Sequence, residues 1–98
     1  MPLDSTEPER IRRRVVYHGR VQGVGFRFTT ASIARRFPVV GYVKNLRDRT
    51  VELVVEAEAE IVREFLGEIS ADFQGNITDC ADFEDESTER FRTFGIRY

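Results

Sequence analysis

The chain has 98 residues and a mass of 11.4 kDa, which is enough for one domain around one hydrophobic core. A composition of 41% hydrophobic and 33% charged residues excludes disorder over most of its length. No apolar run approaches the roughly 20 residues of a membrane helix, and residues 1–10 lack the apolar segment of a secretory signal. Cys80 is the only cysteine, so neither an internal disulfide nor a multi-cysteine metal site is possible. We therefore expect a cytoplasmic protein without membrane contact, in which Cys80 is a small, half-buried residue.

The net charge of −2 conceals an asymmetry between the two halves of the chain. Residues 1–50 contain 11 Arg or Lys and 4 Asp or Glu, a balance of +7, whereas residues 51–98 contain 4 and 13, a balance of −9. A basic half is compatible with an anionic partner, or with two halves that neutralise each other across a sheet. On charge alone we favour mutual neutralisation.

The first half of the chain predicts a strand, a loop and a helix. Residues 1–10 are polar and aperiodic, which predicts a flexible tail ahead of one domain over residues 11–98. β-branched and aromatic residues predict a strand over residues 11–19. A glycine-rich loop follows, and from Phe26 the apolar residues have the spacing of an amphipathic helix, which Pro38 ends.

The second half predicts a hairpin, a helix and two further strands. Residues 39–46 and 50–57 have strand character and are joined by a short turn, which is typical of a hairpin. Residues 58–70 carry an apolar stripe at helical spacing. Residues 77–83 and 91–98 then predict strands on either side of a very acidic loop.

The order β-α-β-β-α-β with an extra C-terminal strand predicts the ferredoxin-like α+β sandwich. In this fold an antiparallel sheet carries both helices on one face, and right-handed crossovers favour that packing. The pattern leaves the place of the last strand within the sheet undetermined.

The loop between the first strand and the first helix has the composition of an anion-binding loop. Gly23 and Gly25 allow the backbone to curl closely around a ligand, and the start of the helix adds partial positive charge. Arg27 lies in the first helical turn, where a guanidinium can bind two oxygens of a phosphate or carboxylate. A plain connecting loop with a surface arginine is the alternative.

Several better-known sites are excluded. No Gly-Lys-Ser/Thr follows the loop, and its glycines are in the wrong order for a dinucleotide-binding fingerprint. With one cysteine, one histidine (His18) and no paired carboxylates near the loop, metal catalysis and Ser or Cys nucleophiles have little support. We expect His18 to be a packed or hydrogen-bonded residue rather than a general base. An enzyme with this sequence therefore works mainly by positioning its substrate and by stabilising the charge that develops on it.

Two motifs closely resemble the paired signature of acylphosphatases. The first is Gly-Arg-Val-Gln-Gly-Val-Gly-Phe-Arg at residues 19–27, and the second is Gly-Tyr-Val-Lys-Asn at residues 41–45. The closing Phe-Gly-Ile-Arg-Tyr at residues 94–98 is also similar to that family, and the resemblance covers roughly residues 11–98. Nine consecutive motif residues, with a second motif at the expected distance, make this a specific signal.

The resemblance implies a monomeric enzyme that hydrolyses a small acyl phosphate to a carboxylate and inorganic phosphate. It implies neither a metal nor an organic cofactor, and no nucleic-acid partner. By motif position, Arg27 and Asn45 would be catalytic, with Asn45 orienting the attacking water through its amide. The substrate phosphate would be bound by Gln22, Gly23, Val24, Gly25, Phe26 and Arg27.

The chain departs from the family pattern at three places. Arg49 occupies a turn position where a glycine is usual, and Ala57 stands near the end of the third strand where another glycine is usual. Residues 70–89 lack the familiar small-residue pattern and end in the acidic loop. We expect these departures to affect stability and substrate access rather than Arg27 and Asn45.

Two alternatives belong to other functional classes. One is a non-catalytic module of the same fold that binds phosphate or carbamoyl phosphate. The other is a ferredoxin-like RNA binder, but the aromatic residues after Gly25 open a helix instead of lying on a central strand, and an isoelectric point near 5.4 is unfavourable for binding a phosphate backbone.

Overall fold

The computed structural model describes residues 9–98. The predicted tail falls almost entirely on residues 1–8, which lie outside the described residues. Its last two residues belong to the domain: the carbonyl oxygen of Glu9 accepts a hydrogen bond from the backbone N–H of Ala59 at 2.9 Å, and Arg10 begins the first strand. In the described part of the chain, no helix is long and apolar enough to cross a membrane.

Five strands and two helices alternate along the described chain. The strands are β1 (Arg10–Gly19), β2 (Val40–Asn45), β3 (Val51–Glu58), β4 (Ile77–Glu84) and β5 (Phe94–Arg97), and the helices are α1 (Phe26–Ala34) and α2 (Ala59–Asp72). Every predicted element is present, with ends shifted by a few residues. Helix α1 ends before Pro38 because its last hydrogen bonds tighten to the i→i−3 pattern, from Arg36 to Ile33 and from Phe37 to Ala34.

The sheet has the order β4-β1-β3-β2-β5, which confirms the ferredoxin-like sandwich. The expected antiparallel pairing holds for the first four strands, whereas the extra strand β5 pairs parallel to β2, with Val43 opposite Ile96. Since β4 and β5 lie on opposite edges, residues 85–93 must cross the whole sheet. The chain then returns along β2, and the carboxyl end of β5 lies beside that of β2.

The core lies between the sheet and the two helices. On the three inner strands, β1, β2 and β3, buried residues largely alternate with less buried ones, as the sequence predicts. On β3, Val51, Leu53, Val55 and Ala57 are fully buried. The largest buried side chains of the cluster are Tyr17, Phe26, Phe65, Leu53 and Ile69, which places both helices on the same face of the sheet.

The opposite face of the sheet carries ion pairs between the basic and acidic halves of the chain. Arg12 pairs with Glu56, which lies directly opposite on β3, and Arg14 pairs diagonally with Glu52; the closest approach is 2.6 Å in each pair. The hydrogen bond from Arg12 holds the pKa of Glu56 below its usual range. The favoured explanation of the charge asymmetry, mutual neutralisation across the sheet, is confirmed.

The acidic segment that crosses the sheet is held by the same arginine. Arg12 donates hydrogen bonds to the carbonyl oxygens of Ser87 and Glu89, and its own carbonyl oxygen accepts one from the N–H of Asp85 at 3.0 Å. The guanidinium of Arg12 also lies 4.6 Å from the ring centroid of Phe91. These contacts guide the crossing segment from β4 to β5.

Two sequence-based expectations about single residues are wrong. Cys80 is exposed on β4 rather than half-buried, because β4 is an edge strand whose outer positions are uncovered. His18 is exposed near the end of β1 rather than packed.

Gly41, the first residue of the second motif, is required by close backbone packing. A Cβ atom built at this position would lie 1.9 Å from the carbonyl oxygen of Val54, and its φ is +139°. No other residue type fits between β2 and β3 at this point. The glycine of the motif therefore sets the approach of the strand that ends in Asn45.

The turn between β2 and β3 contains a backbone conformation that favours glycine. Arg49 has φ +74° and is the one non-glycine residue with a positive φ within residues 9–98. In the left-handed region an L-residue with a side chain costs about 1 kcal/mol. The turn position where a glycine is usual therefore does adopt a positive φ in this chain.

We expect Arg49→Gly to raise the free energy of unfolding by a few tenths to about 1 kcal/mol, because relief of the strain exceeds the entropy that glycine adds to the unfolded chain. Urea denaturation measures the change. Arg47→Gly is the matched control, since it removes the same charge from the same turn at a position without positive φ. Arg47→Gly should lower stability; a loss of stability in Arg49→Gly would show that the turn is not strained.

Candidate active site

The loop between β1 and α1 is shaped by glycines in the left-handed region. Gly23 has φ +77° and Gly25 has φ +80°, and at both positions a Cβ atom would point into open space. Gly25 also serves as the N-cap of α1 and supplies no capping side chain. The loop thus curls tightly and ends directly in the first turn of a helix.

The curled loop leaves several backbone N–H groups without a hydrogen-bond partner in the described chain. Within residues 9–98, no backbone N–H group from residue 22 to residue 26 donates a hydrogen bond to another part of the chain. These groups lie at the N-terminus of α1, where the helix dipole adds partial positive charge. Free donors at a helix start form a site for an anion.

Buried residues and one side-chain amide hold the loop in place. Val21 and Phe26, at the two ends of the curl, are each at most 2% exposed. Between them, Nε2 of Gln22 donates hydrogen bonds of 2.8 Å to the carbonyl oxygens of Leu46 and Thr50. The side chain of Gln22 therefore joins the loop to the β2–β3 hairpin, and only its backbone N–H is available to a ligand.

Asn45 is the last residue of β2, directly before the hairpin turn. It pairs in register with Val51, the first residue of β3. In the described chain the side-chain amide of Asn45 makes no hydrogen bond with another residue. The strand therefore presents a polar group with both its donor and its acceptor free.

A cavity of about 160 Å³ brings these features together at one end of the sheet. Of the residues predicted for the site, Gly23, Gly25, Phe26, Arg27 and Asn45 line this cavity, whereas the side chains of Gln22 and Val24 do not. The other lining residues are Val21, Phe28, Ile96 and Tyr98. Arg27 is the one lining residue with a charged side chain, and no Asp or Glu lines the cavity.

Four of these lining residues were not predicted as site residues from the sequence: Val21, Phe28, Ile96 and Tyr98. The last two reach the cavity because β5 runs parallel to β2 and ends beside Asn45. Phe28 is 78% exposed and Tyr98 is 93% exposed, so the mouth of the cavity has an aromatic rim. An exposed Phe in an amphipathic helix was the one available signal in the sequence.

Arg27 is oriented by the carboxyl end of the last strand. Its Nη1 donates a hydrogen bond of 3.3 Å to the carbonyl oxygen of Arg97, and its Cζ lies 4.9 Å from the ring centroid of Tyr98. These contacts occupy one N–H group and one face of the guanidinium. The remaining donors of Arg27 are available at the cavity.

Metal ligands are absent from this part of the molecule. Among residues 9–98, no group of three or more His, Cys, Asp or Glu side chains is arranged to hold a metal ion. The site combines a loop of backbone donors, an arginine and a free amide on a ferredoxin-like α+β sandwich, and these groups are suited to an anion.

Comparison with known proteins identifies the family. The family model for acylphosphatase matches residues 13–96. The acylphosphatase of Trichormus variabilis is 35% identical over 97 residues, which cover 99% of this chain and 96% of that protein. The chain therefore belongs to the acylphosphatase family, and it is an enzyme that hydrolyses an acyl phosphate to a carboxylate and inorganic phosphate.

Solved structures give the same fold. The acylphosphatase of Bacillus subtilis superimposes with a TM-score of 0.78 at 30% sequence identity, covering 90% of this chain and 99% of that one. Full-length HypF, solved in a phosphate- and nucleotide-bound form, matches with a TM-score of 0.79 at 27% identity. The match covers 97% of this chain but 13% of HypF, so the domain resembles a small part of that larger protein.

Proposed function

We propose that hydrolysis takes place in the cavity between the glycine loop and Asn45, without a metal or an organic cofactor. The backbone N–H groups of residues 22–26 and the guanidinium of Arg27 bind the phosphoryl group. Asn45 orients the attacking water. The observation that carries this assignment is that the loop, the arginine and the free amide open onto one cavity.

The backbone N–H groups of the loop and the guanidinium of Arg27 are suited to phosphoryl transfer. In the transition state, negative charge is spread over the equatorial oxygens of the phosphoryl group, so fixed donors around them stabilise it. The loop supplies neutral dipoles that are already aligned, and Arg27 supplies the positive charge. Because the loop is held by buried residues and by Gln22, little reorganisation is needed when charge develops.

Asn45 acts as a positioning group for water rather than as a base, because an amide does not accept a proton at neutral pH. Its carbonyl oxygen accepts a hydrogen bond from the water, whose oxygen then forms a bond to phosphorus. The bond between phosphorus and the bridging oxygen breaks, and the carboxylate leaves with the electron pair. The proton of the attacking water passes to a phosphate oxygen, so no protein acid or base is required.

The similarity to part of HypF supports a second candidate, a module that binds phosphate or carbamoyl phosphate without hydrolysis. HypF was solved with phosphate bound, and the chain matches 13% of it. Both candidates use the same donor loop and Arg27. They differ in turnover, which makes turnover the property to measure.

The exposed surface and the site support proposals about the compartment, the substrate class and the oligomeric state of the enzyme. The exposed free thiol of Cys80 supports a reducing compartment, for which we propose the cytoplasm.

The arginines of β1 pair with acidic residues on β3 and β4. This pairing leaves no basic stripe on β1 for nucleic acid, which supports a small-molecule substrate alone. We propose a monomer, because the site is built from one chain.

The first test is hydrolysis of benzoyl phosphate by the purified protein in excess EDTA, with inorganic phosphate as a competitor. We expect turnover that is insensitive to EDTA and is inhibited competitively by phosphate. A folded protein that binds phosphate without turnover would instead support the binding module. Loss of turnover in EDTA, restored by a divalent metal, would contradict the metal-free mechanism.

The role of Arg27 is tested by Arg27→Ala. We expect phosphate binding and activity to be abolished together, with kcat/KM lower by about 10³ or more, because the variant lacks the positive charge of the site. The matched control is Arg35→Ala, the same change at the far end of α1, which should keep both properties. Phosphate inhibition unaltered in Arg27→Ala would remove Arg27 from the phosphate site.

The role of Asn45 is tested by Asn45→Ala. We expect kcat to fall roughly 10²–10³-fold, since a positioned water contributes to the transition state and not to phosphate binding. The inhibition constant of inorganic phosphate should stay within about threefold of the parent enzyme. Near-normal turnover in Asn45→Ala would show that another group positions the water.

A further inference from the structure

A second groove lies next to the candidate active site. It has a volume of about 410 Å³ and is lined by residues 19–23 of the loop and by Arg49 of the hairpin turn. We call it the basic groove, because its charged residues are Arg20 and Arg49. Val21 and Gly23 line both the basic groove and the active-site cavity, so the two are adjacent along the loop.

The two guanidinium groups of the basic groove are unpaired within residues 9–98. Arg12 and Arg14, on the open face of the sheet, form ion pairs. The side chains of Arg20 and Arg49 form no ion pair and no hydrogen bond with residues of the described chain. The carboxylate nearest in sequence, Asp48, accepts hydrogen bonds from the N–H and hydroxyl of Thr50. No acidic residue lines the groove, so its lining carries a net positive charge.

The backbone of Arg20 is held by hydrogen bonds, and that of Arg49 is held in a turn. The N–H of Arg20 donates to the carbonyl oxygen of Asn76 at 2.9 Å, and the carbonyl oxygen of Arg20 accepts from Nδ2 of Asn76 at 3.1 Å. Arg49 is fixed in the left-handed region, where a side chain is unfavourable. A strained residue whose side chain lines a groove beside a binding loop is a candidate for a functional role.

The groove and the cavity meet at Gly23, which lines both of them. A Cβ atom at Gly23 would have no neighbouring atom within 4 Å, so the space beside this shared residue is open. A substrate whose phosphoryl group lies on the loop can extend its other end across Gly23. There it meets the guanidinium groups of Arg20 and Arg49.

We propose that the enzyme prefers an acyl phosphate whose acyl half carries a second anionic group, a carboxylate or a phosphate, bound by Arg20 and Arg49 in the basic groove. This inference rests on the proposed function, because it takes the phosphoryl group to lie on the loop. Guanidinium groups bind carboxylates and phosphates alike through paired N–H donors. The two sources of charge are therefore compared in the same experiment.

The probes are three acyl phosphates that differ at the end remote from the reacting phosphorus. Valeryl phosphate ends in a methyl group, glutaryl phosphate in a carboxylate, and 4-phosphonobutyryl phosphate in a phosphonate. We expect kcat/KM to be about fivefold higher for one or both charged substrates than for valeryl phosphate. The preference should shrink at high ionic strength, because the two arginines are exposed and their interactions are screened.

Two variants and one control assign the preference to the groove. Arg20→Gln and Arg49→Gly should each lower the ratio of charged to uncharged kcat/KM about twofold, and the double variant should bring the ratio near one. Arg49→Gly is expected to be well folded because it relieves strain in the turn. Arg35→Gln, which removes the same charge at the far end of α1, should keep the parent ratio.

The outcomes separate this inference from the proposed function. No hydrolysis of any of the three substrates would contradict the proposed function itself. Hydrolysis with equal kcat/KM for all three, or a preference that survives in the double variant, would overturn the basic groove and leave the proposed function standing. A preference for the carboxylate alone, or for the phosphonate alone, identifies the second anionic group.

Discussion

The side-chain amide of Gln22 joins the two halves of the site through its hydrogen bonds to the carbonyl oxygens of Leu46 and Thr50. One half is the glycine loop with its free N–H groups, and the other is the hairpin that carries Asn45. The loop contains glycines in left-handed conformations, and the turn contains the strained Arg49. In the proposed mechanism the bridge fixes the distance between bound phosphoryl group and water, which is the quantity that an enzyme without an acid or base most needs to control.

A second set of contacts, which begins on the opposite face of the sheet, affects the orientation of Arg27. Arg12 binds the segment that crosses from β4 to β5, and Arg97 at the end of β5 pairs with Glu89 of that segment and lies over the ring of Tyr42. The carbonyl oxygen of Arg97 in turn accepts the hydrogen bond from Arg27. The ion pairs of the open face thus help to orient Arg27, the proposed phosphate-binding residue, although none of them lines the cavity.

The sequence predicts the fold well because its signals are local. Alternation in β3, the stripe of α2 and the glycine loop each depend on neighbouring residues, and the two motifs mark Arg27 and Asn45 directly. The direction of β5 depends on contacts between residues far apart, such as Arg12 with Ser87, so periodicity alone does not predict it. Ile96 and Tyr98 were missed at the cavity for that reason. The exposure of Cys80 likewise depends on β4 being an edge strand, which no local pattern reveals.

The proposed site contains no side chain that acts as an acid or a base. Its groups are backbone N–H groups, an arginine and an amide, so in the proposed mechanism the proton of the attacking water passes to the substrate, which is the group that titrates. Carboxylates that matter for structure, such as Glu56, are held ionised by arginines on the other face of the sheet. As the pH falls through the lowered pKa of Glu56, its protonation weakens the ion pair with Arg12 that supports the crossing segment. The protein's own pH sensitivity therefore lies in the stability of the fold, whereas the pH dependence of the proposed catalytic step comes from the substrate.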